Sequence, residues 1–285
     1  MKDYNSECPE CAELRDTVKK QEDEIQMQKE IIKRLFSTIH TQEEDIKKMT
    51  KRLEKRSNPL AAKSSTPHIH PFFEQKSDIK ISDVEINIHG DKPLFPFGPE
   101  GWDWRVLDKD LENGKILLLS DKIVEKHNYH DEREEITWAD CELQKYLNDP
   151  IGDFLSQFTP EDIMRIEDTH VITNDNPWFT ISNGGSPINN KIFLLSIEEV
   201  VRYFGDSGQL EKPQNDYAII DAYSKYRRAK GFDGASSWWW LRSPGYYNSY
   251  VASVYNDGYI LVSGNLSNDI SAGGGGIRPA LWLKL

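Results

Sequence analysis

The chain has 285 residues, 38% hydrophobic and 11% aromatic, and a formal net charge of −12. That composition supplies a core and excludes wholesale disorder, and the length allows one large domain with an accessory element or two modest ones. Residues 1–56 balance thirteen Lys/Arg against thirteen Asp/Glu, so the entire net negative charge falls on the remainder, which argues against nucleic acid as its partner.

Met1 to Lys20 is highly charged, so no signal peptide is expected and synthesis in the cytoplasm follows. No run approaches the roughly eighteen apolar residues of a membrane helix, so no membrane insertion is expected. Three cysteines, Cys8, Cys11 and Cys141, do not make an intrachain disulfide framework.

From Cys11 the apolar spacing alternates three and four residues. Cys11, Val18, Ile25, Ile32, Ile39, Ile46 and Leu53 fall at a positions, and Leu14, Gln21, Gln28, Leu35, Gln42 and Met49 at d positions. This pattern predicts a parallel coiled-coil stalk over 1–56 rather than a core-packing helix, whose apolar face is wider. Ile-rich a layers suit trimers as well as dimers, and a homo-trimer is favoured here over a dimer. Cys8-Pro9-Glu10-Cys11 supplies two thiolates where structural zinc wants four ligands, so it reads as ordinary thiols unless two chains pool theirs. Residues 57–78 form a polar, Pro-containing linker, and His68 and His70 within it read as metal-free.

The remaining 79–285 reads as an α+β domain with strands at both ends and helices between. Alternation of Ile79, Ile81, Val84, Ile86 and Ile88 predicts a strand. Trp104 to Leu107 and Lys115 to Ser120, separated by Glu112-Asn113-Gly114, predict a hairpin. Helices are expected after Thr137, after Thr159-Pro160, after Ser196 and across Asp216 to Lys230, with Lys191 to Leu195 a buried strand. Tyr250 to Tyr255 and Tyr259 to Ser263 flank Asn256-Asp257-Gly258, a strong hairpin signal. The run Gly273 to Gly276 then leads into a last strand, Ile277 to Leu285. No Lys-Ser/Thr or helix follows it, so it is not a phosphate loop.

Two apolar blocks bracket the C-terminal segment: Trp238-Trp239-Trp240-Leu241-Arg242-Ser243-Pro244-Gly245 and Gly276-Ile277-Arg278-Pro279-Ala280-Leu281-Trp282. Between them lie Tyr246, Tyr247, Asn248, Ser249, Tyr250, Ser253, Tyr255, Asn256, Tyr259, Ser263, Asn265, Ser267, Asn268 and Asp269. Tyr offers a stiff amphipathic contact and Ser, Asn and Gly adapt their hydrogen bonds, as in antibody loops, although solvated turns enrich the same residues. Arg242 and Arg278, set within apolar sequence, read as structural cations joined to buried carboxylates or carbonyls. The middle tryptophan reads as core.

Together with Trp104-Arg105-Val106-Leu107, Leu117 to Ser120, Ile136-Thr137-Trp138 and Lys191 to Ser196, these blocks resemble a bacterial and phage family of domains over roughly 94–285. The domain is similar to the C-type-lectin-like fold shared with the formylglycine-generating enzyme, with a mostly antiparallel sheet and flanking helices. Such domains serve as variable proteins of diversity-generating retroelements, in which asparagine codons are rewritten. The resemblance implies a non-enzymatic receptor-recognition protein, diversified over about 242–281, that binds a protein or glycan ligand. It also implies an oligomeric phage tip as one setting, so the final site is a virion or the bacterial cytoplasm.

The alternatives are an enzyme of the same fold, or a structural or assembly protein in which the stalk is the working part. The fold's enzymes use a copper-binding cysteine pair or a histidine iron site. Here Cys141 is the sole thiol of 79–285, so copper chemistry is unsupported. His127, His130 and Asp131 could form a facial triad, but the stretch reads as an acidic surface loop. No pair of carboxylates stands out for glycoside hydrolysis. No cofactor is expected.

Overall fold

A computed structural model describes residues 79–268 and 275–285, together with Lys19. The expected stalk over 1–56 with Cys8 and Cys11, the linker 57–78 with His68 and His70, and Asp269 lie outside the described residues. The described part is a sheet-rich α+β structure. No helix in it is long and apolar enough to cross a membrane.

One antiparallel sheet has the order β1-β2-β3-β14: Phe95–Pro96, Asp103–Asp110, Lys115–Ser120 and Ala280–Lys284. The predicted first hairpin is its centre, β2 with β3. A register shift between Val106 and Asp108 lets the successive residues Val106 and Leu107 both turn inward. Leu117, Leu118 and Leu119 are likewise all buried, because both faces of this sheet are covered.

The larger sheet runs β4-β13-β10-β11-β12-β7: Glu125–His127, Gly275–Ile277, Trp239–Pro244, Tyr250–Val254, Ile260–Leu266 and Ala218–Ile219. Its pairs are antiparallel except β10 with β13. Two small ribbons complete the strands, β5 (Thr169–Val171) with β6 (Ile188–Asn190), and β8 (Ala229–Lys230) with β9 (Ser236–Ser237).

Four short helices lie between. α1 is Glu142–Asn148, α2 Pro160–Arg165, α3 Ile197–Phe204 and α4 Ser224–Arg227. As expected, Thr159 caps α2 by accepting from the Asp162 amide, and Ser196 opens α3 through a reciprocal capping box with Glu199. α3 buries Ile197, Val200, Val201 and Phe204, the single stripe that its spacing dictates.

Four expectations fail, each because a side chain captured backbone that a regular element would have used. Residues 79–91 form no strand: Ile81–Asp83 is a 3-10 turn, and Ile79 and Ile86 are exposed. The Asn87 amide does reach β2, donating to the Val106 carbonyl, but its side chain turns back to hold the Lys92 carbonyl. Thr137 does not cap α1. Its hydroxyl donates to Asp140 within a turn, and Cys141 Sγ caps instead by accepting from the Gln144 amide. Lys191 to Leu195 is buried over Ile192 to Leu195 but is not a strand, because Asn148 Oδ1 accepts the amides of Lys191 and Ile192. A single bridge joins Phe193 to Ala280. The segment 216–230 yields only the short α4. Asn215 Oδ1 takes the Tyr217 and Ala218 amides and directs Ala218–Ile219 onto β12.

The expected last strand also divides. β13 and β14 belong to different sheets, and Arg278-Pro279 carries the chain between them. Arg278 is fully buried, donates Nε–H to the Ser120 carbonyl and lies over Trp239 and Phe204 at 5.0 and 5.8 Å. Burial pushes its guanidinium down to about 9.

Arg242 matches its structural reading. It pairs with both oxygens of Glu199 at 2.5 and 2.9 Å and donates to the carbonyls of Leu194 and Ile172. The cap of α3 and the middle of β10 therefore share one carboxylate. Removing a buried partner of this kind typically costs about 3–5 kcal/mol. Arg242→Ala is expected to lose stability of about that size in urea unfolding, and Arg202→Ala, at an exposed pair with Asp108, less than about 1 kcal/mol.

Candidate recognition surface

The C-terminal hairpin forms as expected. Gly258 donates to the Tyr255 carbonyl and Tyr255 to the Tyr259 carbonyl, and Gly258 carries the positive φ of 91° that the turn needs. One face of β10, β11 and β12 supplies Trp239, Leu241, Val254, Ile260 and Val262 to the core, all fully buried. Trp240 is buried too, its indole donating to the His127 carbonyl, whereas Trp238 is only partly covered.

The fourteen residues of the bracketed segment separate into two groups. Asn248, Ser253 and Ser267 are buried and belong to the frame, which corrects their expected place on the surface. Asn248 exchanges hydrogen bonds with Asn183, donating Nδ2–H to the Asn183 carbonyl and accepting the Asn183 amide. Its own carbonyl accepts the Ile136 amide. The Ser267 carbonyl accepts both the Tyr129 and His130 amides, and Ser253 lies beneath Asn265, which donates to it at 3.0 Å. These three satisfy backbone and side-chain groups that water cannot reach.

The others stay at least partly open. Tyr246 and Tyr247 are 42% and 45% exposed, Asn256 is exposed, and Ser249, Tyr250, Tyr255, Tyr259, Ser263, Asn265 and Asn268 are half-buried. Asp269 lies outside the described residues. The open aromatics form two clusters. Tyr246 packs edge-on against Tyr247 at 4.4 Å and against Phe179 at 4.8 Å, and Tyr255 stacks on Tyr259 at 4.9 Å. The Tyr246 amide donates to the Ser263 carbonyl, and the Ser263 amide to the Tyr217 carbonyl. Gly264, at φ 79°, makes the irregularity between these turns of β12, where any Cβ would strike the Val251 backbone.

Phe179 and Tyr217 are absent from the bracketed segment, and sequence reasoning missed them. Tyr217 is 52% exposed and lies within electrostatic reach of Tyr259. No periodic signal marks either residue, because each sits in a loop that Asn side chains position. Asn176 holds the Phe179 amide while its own amide spans the carbonyls of Pro244 and Val262, and Asn215 holds the Tyr217 amide.

The metal-like residues are engaged elsewhere. His127 donates Nδ1–H to the Asn128 carbonyl and stacks on Tyr146 at 4.8 Å. The ring of His130 lies between Glu134, 2.8 Å from Nε2, and Glu142 beside Nδ1. Among the described residues no group of three or more His, Cys, Asp or Glu is placed to hold a metal ion. Burial pushes the Cys141 thiol up to about 12.

Tyr259 is pushed up to about 12, first by burial and then by Tyr255. Burial also raises the phenols of Tyr129, Tyr146 and Tyr203. A folded-state value above the unfolded phenol, near ~10, stabilises the fold fully below that pH, and the contribution is lost as pH climbs through the folded value. Urea midpoints are therefore expected to fall between about pH 10 and 12. Tyr259→Phe should make that fall shallower, and an unchanged slope would contradict the assignment.

A family model described as a domain of unknown function (DUF6273) matches residues 113–285, leaving Trp104 to Leu107 outside the matched span. No curated protein and no solved structure matches the chain. With well over half its length covered, the chain belongs to the DUF6273 family.

Proposed function

We propose that the protein is a non-enzymatic recognition protein that presents the open tyrosine surface of its C-terminal hairpin to a protein or glycan ligand. One observation carries this reading: the turns at the two ends of β11 leave two aromatic clusters open, Tyr246 with Tyr247 and Phe179 at one, and Tyr255 with Tyr259 at the other. Half-exposed aromatic clusters of this size are costly in water, and they suit a contact that desolvates them. The stiffness of the underlying frame lowers the entropy lost on binding.

The sequence blocks around this surface support a C-type-lectin-like relation and a role as the variable protein of a diversity-generating retroelement. On that reading, exchange at the open positions alters specificity, while exchange at Asn248, Ser253 or Ser267 disturbs the frame. The heptads of residues 11–53 support a parallel trimeric stalk, so that several weak sites would act by avidity.

Three results test this. Neighbouring DNA should hold a near-copy of the coding segment for 242–281, differing at adenines, beside a reverse transcriptase. Light scattering should return about three times the mass of one chain. On arrays of proteins and glycans, Tyr246→Ala and Tyr247→Ala should weaken any saturable contact about tenfold to thirtyfold, while Ile151→Ala, elsewhere on the surface, leaves it unchanged. Binding indifferent to both tyrosine changes would end the proposal.

A further inference from the structure

A concave site lies between the β8–β9 turn and the connection from β3 to β4. It is a cavity of about 230 Å³ lined by Ile123, Phe232, Asp233, Ser236 and Ser237, among others. Its floor is fixed. Ile123 is buried, bridges Gly231 and donates its amide to the Lys230 carbonyl. The wall is a tight turn in which the Gly231 amide donates to the Ala235 carbonyl, the Gly234 amide to the Gly231 carbonyl, and the Ala235 amide to Asp233 Oδ1.

Three features of this cavity are unexplained by folding. Phe232 leaves its ring 51% exposed at the rim, although a polar residue would serve a plain turn better. The Lys122 ammonium lies 5.0 Å from the centre of that ring, which holds the ring in place. The hydroxyls of Ser236 and Ser237, on a strand paired only to β8, engage no group among the described residues. Phe232, Asp233, Ser236 and Ser237 thus line one small space.

We propose that this cavity binds a single pyranose ring. The C–H face of the sugar lies on Phe232, and its hydroxyls exchange hydrogen bonds with Ser236, Ser237 and Asp233. The volume falls below that of pockets for drug-sized ligands and admits one ring rather than a chain. A sugar meets both needs of the site, since it has one apolar face and a rim of paired donors and acceptors. The inference stands apart from the tyrosine surface and does not depend on it.

The test is ligand-observed NMR on the full chain with the methyl glycosides of glucose, galactose and N-acetylglucosamine. At least one should bind saturably in the millimolar range, as expected for a ligand of about a dozen heavy atoms. Phe232→Ala should weaken it tenfold or more and Ser236→Val by several fold. Both residues are exposed, so both variants should keep the parent's unfolding midpoint. Tyr247→Ala should leave the affinity unchanged, which separates this site from the recognition surface. Absence of saturation with all three glycosides, or binding that survives Phe232→Ala, overturns the proposal.

Discussion

The structure depends on the passage of the C-terminal segment from one sheet to the other. β13 pairs with both β10 and β4, and within three residues β14 pairs with β3. Arg278 sits at the crossing, fully buried and stacked on Trp239. Its two terminal nitrogens have no hydrogen-bond partner among the described residues, and no carboxylate touches it. The charge is tolerated through one carbonyl, two aromatic faces and the distant attraction of Asp121, which only partly offsets the repulsion of Arg105. Such a cation stabilises less than it specifies: it admits one register of the crossing, because any slip would place the guanidinium among aliphatic side chains.

A second tie repeats this logic at the other end of β10. Arg242 binds the carboxylate that also closes the cap of α3, so a helix terminus and a central strand depend on the same two oxygens. Between these fixed points, the connections from β10 to β11 and along β12 are held chiefly by Asn and Ser side chains. The hairpin can therefore carry varied open residues without losing its position. A rigid base with polar, adaptable connections separates the residues that hold this segment from those left open.

Much of the core-forming part was legible in the residues. Hairpins announced by Asn-Gly and Asp-Gly turns formed where expected, as did the helices opened by Thr159-Pro160 and Ser196, because turn and cap chemistry act over three or four residues. The tryptophan block reached the core as its apolar character implied, two of its three rings being fully buried. Failures cluster where an asparagine or aspartate side chain replaced a backbone partner. Asn148, Asn176, Asn215 and Asn248 each satisfy loop backbone, and in sequence each reads only as a polar residue.

The candidate surface shows the same boundary. Composition alone located the segment and its aromatic character, since tyrosine, asparagine and serine in that density mark exposed, adaptable contact. It could not tell Tyr246 from Asn248, two residues apart, because exposure there depends on loops at 136 and 183 that pack from elsewhere in the chain. Nor could it enlist Phe179 and Tyr217, which join the surface only when asparagine-held loops deliver them. What the residues determined by themselves were the local elements and the charge of the chain, which follow from neighbours along the backbone. What only tertiary structure decided was which polar groups became frame and which remained surface, because burial is a property of contacts between distant segments.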